Sequence, residues 1–583
     1  MAQWLKKHWL EWVVATVFTL LAALVITWQY TYLCDTNDDV LLRNIVSGAF
    51  SGTPDGHTVY IMYPLGWLLK TAYTFAPNVS WYDCFMIGLH YVCWLLLTAR
   101  VGSLFEKKCY KTIGIVLTYL AIVLIDLPYI VMHQYTVLAA LVGVVALFWL
   151  VTDASSTIKG FIGNHVITVI CLLLCLWIRK QVFIMLLPFV GIALAYLLWK
   201  HSKSDIKKTS LRYLCLAGCV ALLTVSSFII ENIAYSGEEW QDFLAYNEAR
   251  TQIYDYYQAP PYDIYKDAYA QEGFNEYDYE VIESHNIALM PEMNTQTLEM
   301  LSSWSEEFAR WQEQYYSVYR KTLFSLCDAV LYNSVQPIGL LLCGLYVGGF
   351  LWAYLKDKKK EALTLCVTGL FQCVFVAYFL WKGRFPERVS YGFYLMQFAL
   401  LAGMILRNKE VIKDAEPGKK KAYFWKALIA VVILAVAVNF GMYRYKTVLD
   451  TNRERTAVAT EWESIKAYCA EHGEEQFFMK TNAIGAYCET MFSENIAADN
   501  MHYLGTWLLN SPLYEQRLNR VGVEQPGVYF AENENGRILQ LGTENTEWLT
   551  LYYRERGYEG TVEITDSILL PNGSAMSVLQ AVK

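Results

Sequence analysis

The chain of 583 residues is long enough for three or four soluble domains, but its composition excludes that arrangement. Apolar residues make up 55% of the chain and charged residues 17%, against roughly 25% charged residues in a typical soluble protein. The formal net charge of −8 argues against a nucleic-acid partner, which requires a basic surface. Because the apolar residues are concentrated in runs of about twenty, the sequence predicts a polytopic α-helical membrane protein.

About eleven membrane-spanning helices are predicted, since crossing about 30 Å of hydrocarbon requires about twenty apolar residues. Two of the predicted spans, 112–127 and 164–178, are short and could extend into their neighbours, so the number of spans lies between roughly nine and thirteen. The spans are 10–33, 82–104, 112–127, 134–152, 164–178, 182–199, 210–235, 333–355, 362–381, 389–406 and 423–442.

The distribution of Lys and Arg between the loops predicts the orientation in the cell membrane. With a cytoplasmic N-terminus, the short inward-facing segments carry 22 Lys and Arg residues and the short outward-facing loops carry 7. This asymmetry favours the cytoplasmic N-terminus, and an odd number of spans then places the C-terminus outside.

The predicted topology divides the chain into a transmembrane module, 1–442, and an extracytoplasmic α/β domain, 443–583. Two segments of the module face outward, and we call them loop 34–81 and loop 236–331. Sequence patterns predict helices at 292–325, 453–470 and 546–557, and strands at 476–480, 527–531 and 576–582.

Loop 34–81 begins with a cluster of carboxylates directly after the first span. Asp38 and Asp39 open an amphipathic helix, and a second amphipathic stretch runs over 60–73. Both residues suit a helix N-terminus, where they cap free N–H groups. Two adjacent carboxylates exceed what a cap needs, and each raises the free-energy cost of ionising the other. A helix cap, a divalent-metal site and a base for a sugar hydroxyl are therefore the alternatives.

Positive charge is scarce in the outward loops and occurs in two clusters. Arg179 and Lys180 lie between the fifth and sixth spans, and Arg384 and Arg388 lie between the ninth and tenth. Single cations at helix ends commonly reach toward lipid headgroups. Paired guanidinium groups at the bilayer surface also suit a phosphate or pyrophosphate.

Loop 236–331 is rich in acidic and aromatic residues. Arg250, Asp255 and neighbouring tyrosines could bind sugar hydroxyls and stack on sugar rings, or the loop could be a solvated acidic cap over the helices. His57 also faces outward in the predicted topology. The sequence has no phosphate-binding glycine loop, nucleophile elbow or His-Glu-x-x-His motif.

The segment from Thr36 to Leu65, with Asn37-Asp38-Asp39 after the first span and Tyr63-Pro64-Leu65 later, resembles the GT-C superfamily. These polytopic glycosyltransferases use polyprenyl-phosphate-linked sugars and include protein mannosyltransferases, aminoarabinose transferases and serotype-converting glucosyltransferases. The resemblance extends to the layout of the whole chain, with its first outward loop, about eleven spans and outward C-terminal domain.

The resemblance implies transfer of a sugar from a polyprenyl-phosphate carrier to a cell-surface glycan, lipid or protein, with inversion at the anomeric carbon. Asp38 or Asp39 would be the general base or would hold a divalent metal such as Mg or Mn. The lipid phosphate would be bound by Arg179, Lys180, Arg384 and Arg388. Further substrate contacts would come from His57, Tyr63, Arg250 and Asp255. The donor's isoprenoid tail would lie between helices, in contact with membrane lipids.

Three other classes of protein fit parts of the pattern. A flippase or transporter for a lipid-linked sugar would carry charges within its spans, and these are sparse here. A polysaccharide polymerase or ligase would place its essential Arg and His residues in a large outer loop. A non-enzymatic scaffold would use the C-terminal domain to bind a partner.

Overall fold

A computed structural model describes most of the chain. The described residues are 9–155, 157–200, 206–313, 323–325, 327, 337–355, 357–381, 385–407, 420–481, 487–493, 498–542 and 546–583.

The first half of the chain folds into apolar helices joined by short connections, with two shorter helices in loop 34–81. In chain order they are α1 (Trp9–Gln29), α2 (Asn37–Ser47), α3 (Tyr63–Phe75), α4 (Trp81–Leu104), α5 (Lys108–Val131), α6 (Tyr135–Val151), α7 (Ile158–Ile178), α8 (Lys180–Lys200) and α9 (Ile206–Ala234).

The second half combines further apolar helices with two polar regions. Its helices are α10 (Glu238–Thr251), α11 (Tyr262–Gln271), α12 (Glu276–Glu283), α13 (Thr295–Glu313), α14 (Ile338–Leu355), α15 (Lys359–Trp381), α16 (Glu387–Arg407), α17 (Lys420–Glu471), α18 (Pro512–Arg520), α19 (Pro526–Glu532) and α20 (Glu547–Glu555).

The prediction of a polytopic helical membrane protein is confirmed at this level. In the described part of the chain, 9 helices are long and apolar enough to cross a membrane. They are α1, α4, α5, α7, α8, α9, α14, α15 and α16. Helix α6 is apolar but has only 17 residues, and the predicted span 423–442 lies within α17, which has 52.

Helix α6 is the centre of the bundle, because every one of its residues is buried. Its sequence is apolar on all sides, as expected for a helix that neighbours surround. Gly392 of α16 allows a close approach to α6, since a Cβ there would lie 2.9 Å from the Cβ of Ala140. Small residues commonly permit such contacts between membrane helices.

The two amphipathic helices predicted in loop 34–81 are both present. Helix α2 begins after Thr36 and ends at Gly48, whose φ of +86° is a left-handed conformation that glycine adopts without strain. A Cβ at Gly48 would also lie 2.6 Å from the backbone nitrogen of Pro54. Helix α3 has Pro64 in its first turn, where a missing N–H costs no hydrogen bond.

The C-terminal residues form a mixed five-stranded sheet in the order β5 (Met501–Tyr503), β3 (Gln476–Met479), β6 (Gly536–Leu541), β8 (Ala575–Val582) and β7 (Thr561–Leu569). Strands β5 and β6 pair in parallel with β3, and β8 pairs antiparallel with β6 and β7.

One of the predicted strands is wrong. Residues 527–531 form helix α19, with Pro526 in its first turn. Short apolar runs are ambiguous between a buried strand and a buried helix. Here Gly527 packs so closely that a Cβ would lie 2.1 Å from the carbonyl oxygen of Leu289.

Other predicted elements of the C-terminal region are confirmed. The predicted helices 453–470 and 546–557 correspond to parts of α17 and to α20, and the predicted strands 476–480 and 576–582 correspond to β3 and β8. The helix predicted at 292–325 is present as α13, and much of its second half lies outside the described residues.

The C-terminal region is docked directly on loop 34–81. Strand β1 (Leu33–Cys34) pairs with β2 (Met132–His133) and β4 (Glu489–Thr490), which joins three distant parts of the chain. The buried Arg517 donates hydrogen bonds to the carbonyl oxygens of Phe50 (2.7 Å) and Met501 (2.7 Å). Loop 34–81, the connection between α5 and α6, and the C-terminal region therefore meet at one end of the helix bundle.

Candidate functional site

A cavity of about 1310 Å³ opens at this end of the bundle. Its walls come from loop 34–81, the ends of several helices, the described part of loop 236–331 and the C-terminal residues 505–509. Six of the residues predicted to form the site line it. They are Asp38, Arg179, Lys180, Arg250, Asp255 and Arg388.

Helix ends and turns place these six side chains at the cavity. Asp38 lies in the first turn of α2, and Arg388 is the second residue of α16. Arg179 and Lys180 form the junction between α7 and α8. Arg250 is in the last turn of α10, and Asp255 follows in the turn 252–256. The fold brings residues from four separate segments of the chain to the same cavity.

Three of the cavity's cations are not neutralised by an ion pair. Within 4.0 Å of the charged atoms of Arg179, Lys180 and Arg388, no carboxylate of a described residue is found. By contrast, Arg250 pairs with Asp255 at 3.2 Å. The carboxylates of Glu231 and Glu248 also line the cavity, but Glu231 accepts a hydrogen bond from the backbone N–H of Tyr63 at 2.6 Å.

Arg179 is held by neutral groups. Its Nη1 donates a hydrogen bond of 2.7 Å to the hydroxyl of Tyr135. The guanidinium carbon lies 5.3 Å from the centre of the Tyr135 ring and 5.0 Å from that of Tyr60. The ring of Tyr60 in turn packs against Trp507, with ring centres 4.6 Å apart. Cation–π contacts of this kind favour a positive charge between aromatic faces.

Asp38 faces the cations across the cavity. Its carboxylate makes no hydrogen bond or ion pair with any residue that the structure describes. Burial raises the pKa of Asp38, and the positive charges of Arg388 and Arg179 oppose that rise. Asp38 is therefore a carboxylate with free acceptor atoms, close enough to the cations to feel their charge and separated from them by more than 4.0 Å.

Asp39 does not line the cavity, and this corrects the expectation of a two-carboxylate site. It is fully buried, and it accepts hydrogen bonds from Thr36 Oγ1 (2.9 Å), the Tyr82 hydroxyl (3.0 Å) and the Tyr135 backbone N–H (3.2 Å). Successive side chains of an α-helix point about 100° apart, so the two neighbours face different surroundings. Asp39 anchors the start of α2 to α4 and α6.

The residues around Asp38 do not fit a divalent cation. Mg²⁺ and Ca²⁺ prefer several oxygen ligands, usually with more than one carboxylate. Asp38 instead lies near the guanidinium groups of Arg388 and Arg179, which repel a cation. Asp255 is the other carboxylate whose charge reaches Asp38, and it is paired with Arg250, while Asp39 is turned away. Among the described side chains, no group of three or more His, Cys, Asp or Glu is arranged as a metal site.

His57 and Tyr63 pack beside the cavity without lining it, contrary to their predicted contact with substrate. The His57 ring stacks on Trp240 with centres 4.5 Å apart and also contacts Tyr63 (4.9 Å). Its Nδ1 lies 2.7 Å from Asp55, and its Nε2 lies 3.1 Å from the Ala234 carbonyl oxygen. These contacts tie loop 34–81 to the end of α9. Arg384, the remaining predicted residue, lies outside the described residues.

Sequence patterns did not identify four further cavity residues: Tyr60, His285, Gly505 and Trp507. Burial, followed by the charge of Arg250, lowers the pKa of His285 to about 4, so its ring is neutral at neutral pH. A Cβ at Gly505 would lie 1.9 Å from the carbonyl oxygen of His285, which explains the need for glycine there. No local sequence signal marks these residues, because they come together only through long-range packing.

The burial of Asp39 predicts a pH dependence of stability. Burial raises its pKa from 3.8 to about 8. Between these values the folded state keeps a proton that the unfolded state has lost, so unfolding becomes easier as pH rises. We expect the wild-type melting temperature in detergent to fall relative to that of Asp39→Asn from about pH 4 to pH 8, and the difference to level off above pH 8. A constant difference across this range would contradict the assignment.

A scan against protein-family models found no match to this chain, and searches of curated proteins and of solved structures also found none. The fold and the cavity define it as a polytopic helical membrane protein with a large charged cavity at one end of its helix bundle.

Proposed function

We propose that the protein is a GT-C-type membrane glycosyltransferase. It transfers a sugar from a polyprenyl-phosphate carrier to an extracytoplasmic acceptor, which is a cell-surface glycan, a lipid or a protein. The observation that carries this proposal is the arrangement of one free carboxylate, Asp38, opposite the unneutralised cations Arg179, Lys180 and Arg388 within one cavity.

In the proposed reaction, Asp38 accepts the proton of the acceptor hydroxyl. The acceptor oxygen forms a bond to the anomeric carbon, while the bond from that carbon to the phosphate oxygen breaks and its electron pair stays with the lipid phosphate. Burial makes the Asp38 carboxylate a stronger base, since it raises its pKa. Because the attack is a direct displacement, the anomeric carbon is inverted.

The cations stabilise the negative charge on the leaving phosphate. Arg179 and Arg388 offer N–H donors that match phosphate oxygens, and Lys180 adds a third positive charge. Because these groups are held in place before the reaction, they stabilise the transition state without reorganising. Arg384 is proposed to belong to the same group on the basis of its sequence position.

The cavity also has an apolar wall suited to the carrier lipid. Val182 and Met185 of α8, Phe379 of α15 and Val389 of α16 line it beside the cations. An isoprenoid phosphate needs this combination, because its headgroup is anionic and its tail belongs in the bilayer. Segments predicted to face outward meet at this one cavity, which supports a common side of the membrane for them. We propose that this side is extracytoplasmic, with eleven spans and a cytoplasmic N-terminus.

The test is a transfer assay with the purified full-length protein, polyprenyl-phosphate-linked sugars and candidate acceptors. We expect sugar transfer, with a rate that falls by roughly 10²-fold in Arg388→Ala, as for loss of one charge-stabilising group. Arg310→Ala is the matched control, since Arg310 is an exposed arginine of α13 paired with Glu306. Movement of lipid-linked sugar across liposomes without transfer would favour the flippase, and elongation of a polysaccharide would favour the polymerase.

A further inference from the structure

Tyr135 contacts both Arg179 and the first turn of α2, which carries Asp38. It is the first residue of α6, and 1% of its side chain is exposed. Its hydroxyl accepts the hydrogen bond from Arg179, and its ring lies against the same guanidinium group. Its backbone N–H donates a hydrogen bond of 3.2 Å to the side-chain oxygen Oδ1 of Asp39. One residue thus connects Arg179 to the helix that presents Asp38.

The groups that hold Arg179 leave its charge available. A carboxylate in this position would fix the guanidinium but would also cancel its charge. The Tyr135 hydroxyl and the faces of Tyr135 and Tyr60 fix it without neutralising it. A guanidinium has five N–H donors. Only the bond to Tyr135 is made with a described residue, so the other donors remain for a ligand.

We propose that Tyr135 is a positioning residue that holds Arg179 as a preformed binding group for the phosphate of the donor lipid. Its backbone contact with Asp39 fixes the distance between this group and the start of α2, where Asp38 lies. Tyr60, which packs against Trp507 from the C-terminal region, contacts the same guanidinium group. This inference rests on the proposed function, because it assigns the residue to recognition of the donor phosphate.

The test measures the binding of farnesyl phosphate and of farnesol to the full-length protein in detergent by calorimetry. We expect Tyr135→Phe to weaken farnesyl phosphate binding by roughly tenfold, as for loss of a hydrogen bond to a charged group, and to leave farnesol binding unchanged. Tyr269→Phe is the matched control, since its buried hydroxyl donates a 2.8 Å hydrogen bond to the Pro260 carbonyl oxygen away from the cavity. We expect it to bind both probes as the wild type does.

A double-mutant cycle separates positioning from a general structural effect. If Tyr135 acts through Arg179, the variant with both Tyr135→Phe and Arg179→Ala binds farnesyl phosphate no more weakly than Arg179→Ala alone. Tyr60→Leu provides a second variant, for which we expect a selective loss of farnesyl phosphate binding as well.

Three results would overturn the inference. The first is that Tyr135→Phe and Tyr60→Leu both bind farnesyl phosphate as the wild type does. The second is that the losses of farnesyl phosphate affinity from Tyr135→Phe and Arg179→Ala are additive in the double variant, and the third is that Tyr135→Phe weakens farnesol and farnesyl phosphate binding equally. Failure of the wild-type protein to prefer farnesyl phosphate over farnesol would instead remove the proposed function and this inference together.

Discussion

Asp38→Asn is expected to lower sugar transfer by roughly 10²–10⁴-fold while the protein remains folded, which is the usual contribution of a general base. The side chain lines the cavity and makes no hydrogen bond with the described residues. Its replacement therefore breaks no hydrogen bond or ion pair with a described residue, but the amide cannot accept the proton of the acceptor hydroxyl. The measurement is the initial transfer rate, with the melting temperature in detergent as a test of folding.

Asp39→Asn is the matched control, because it removes a carboxylate at the next residue. Burial raises the pKa of Asp39 to about 8, so this side chain carries a proton at neutral pH. An amide has the same shape, and its oxygen can still accept from Tyr82 and from the Tyr135 backbone. We expect this variant to keep most of the wild-type activity. Equal activity losses in the two variants, or none in either, would contradict the assignment of Asp38 as the base.

The sequence could predict which regions meet at the site, because charge and hydropathy are local signals. Arg179, Lys180 and Arg388 stood out since positive charge is scarce in the outward loops, and the structure places all three at one cavity with Asp38. The sequence could not separate Asp38 from Asp39. Their roles depend on the rotation of α2 about its axis, which is set by the packing of its apolar face against α3 and α4.

The sequence could not predict the neutral aromatic residues of the site either, for a different reason. Tyr60, Tyr135 and Trp507 are three among many aromatic residues of the chain, and nothing in their neighbours distinguishes them. Tyr60 and Tyr135 both contact Arg179, and Trp507 contacts Tyr60 because the C-terminal region packs on loop 34–81. That docking depends on the two-residue strands β1, β2 and β4, which are too short to produce an alternating pattern.

Glu489 is the central acid of the contact between the C-terminal region and loop 34–81. It is 4% exposed and forms ion pairs with Arg43 of α2 and Lys466 of α17. The Tyr487 hydroxyl also donates to it, and Arg43 reaches Asp83 of α4 at 3.7 Å. Burial raises the pKa of Glu489, but the charges of Arg43 and Lys466 outweigh this effect and hold the pKa below its ordinary value. The carboxylate is therefore ionised at neutral pH and balances two buried positive charges.

Glu489→Ala is expected to lower the free energy of unfolding by roughly 3–5 kcal/mol, because removing one partner of a buried ion pair leaves uncompensated charge. Arg43 and Lys466 each lose their ion pair with Glu489, and Arg43 keeps Asp83 at 3.7 Å. The measurement is the melting temperature in detergent, compared with Glu306→Ala, which breaks the exposed pair with Arg310 and should change stability by less than about 1 kcal/mol. Similar melting temperatures for both variants would mean that the cluster does not hold the C-terminal region on the helix bundle.

If the cluster does hold it, Glu489→Ala should also weaken farnesyl phosphate binding, since Trp507 then no longer supports Tyr60 against Arg179.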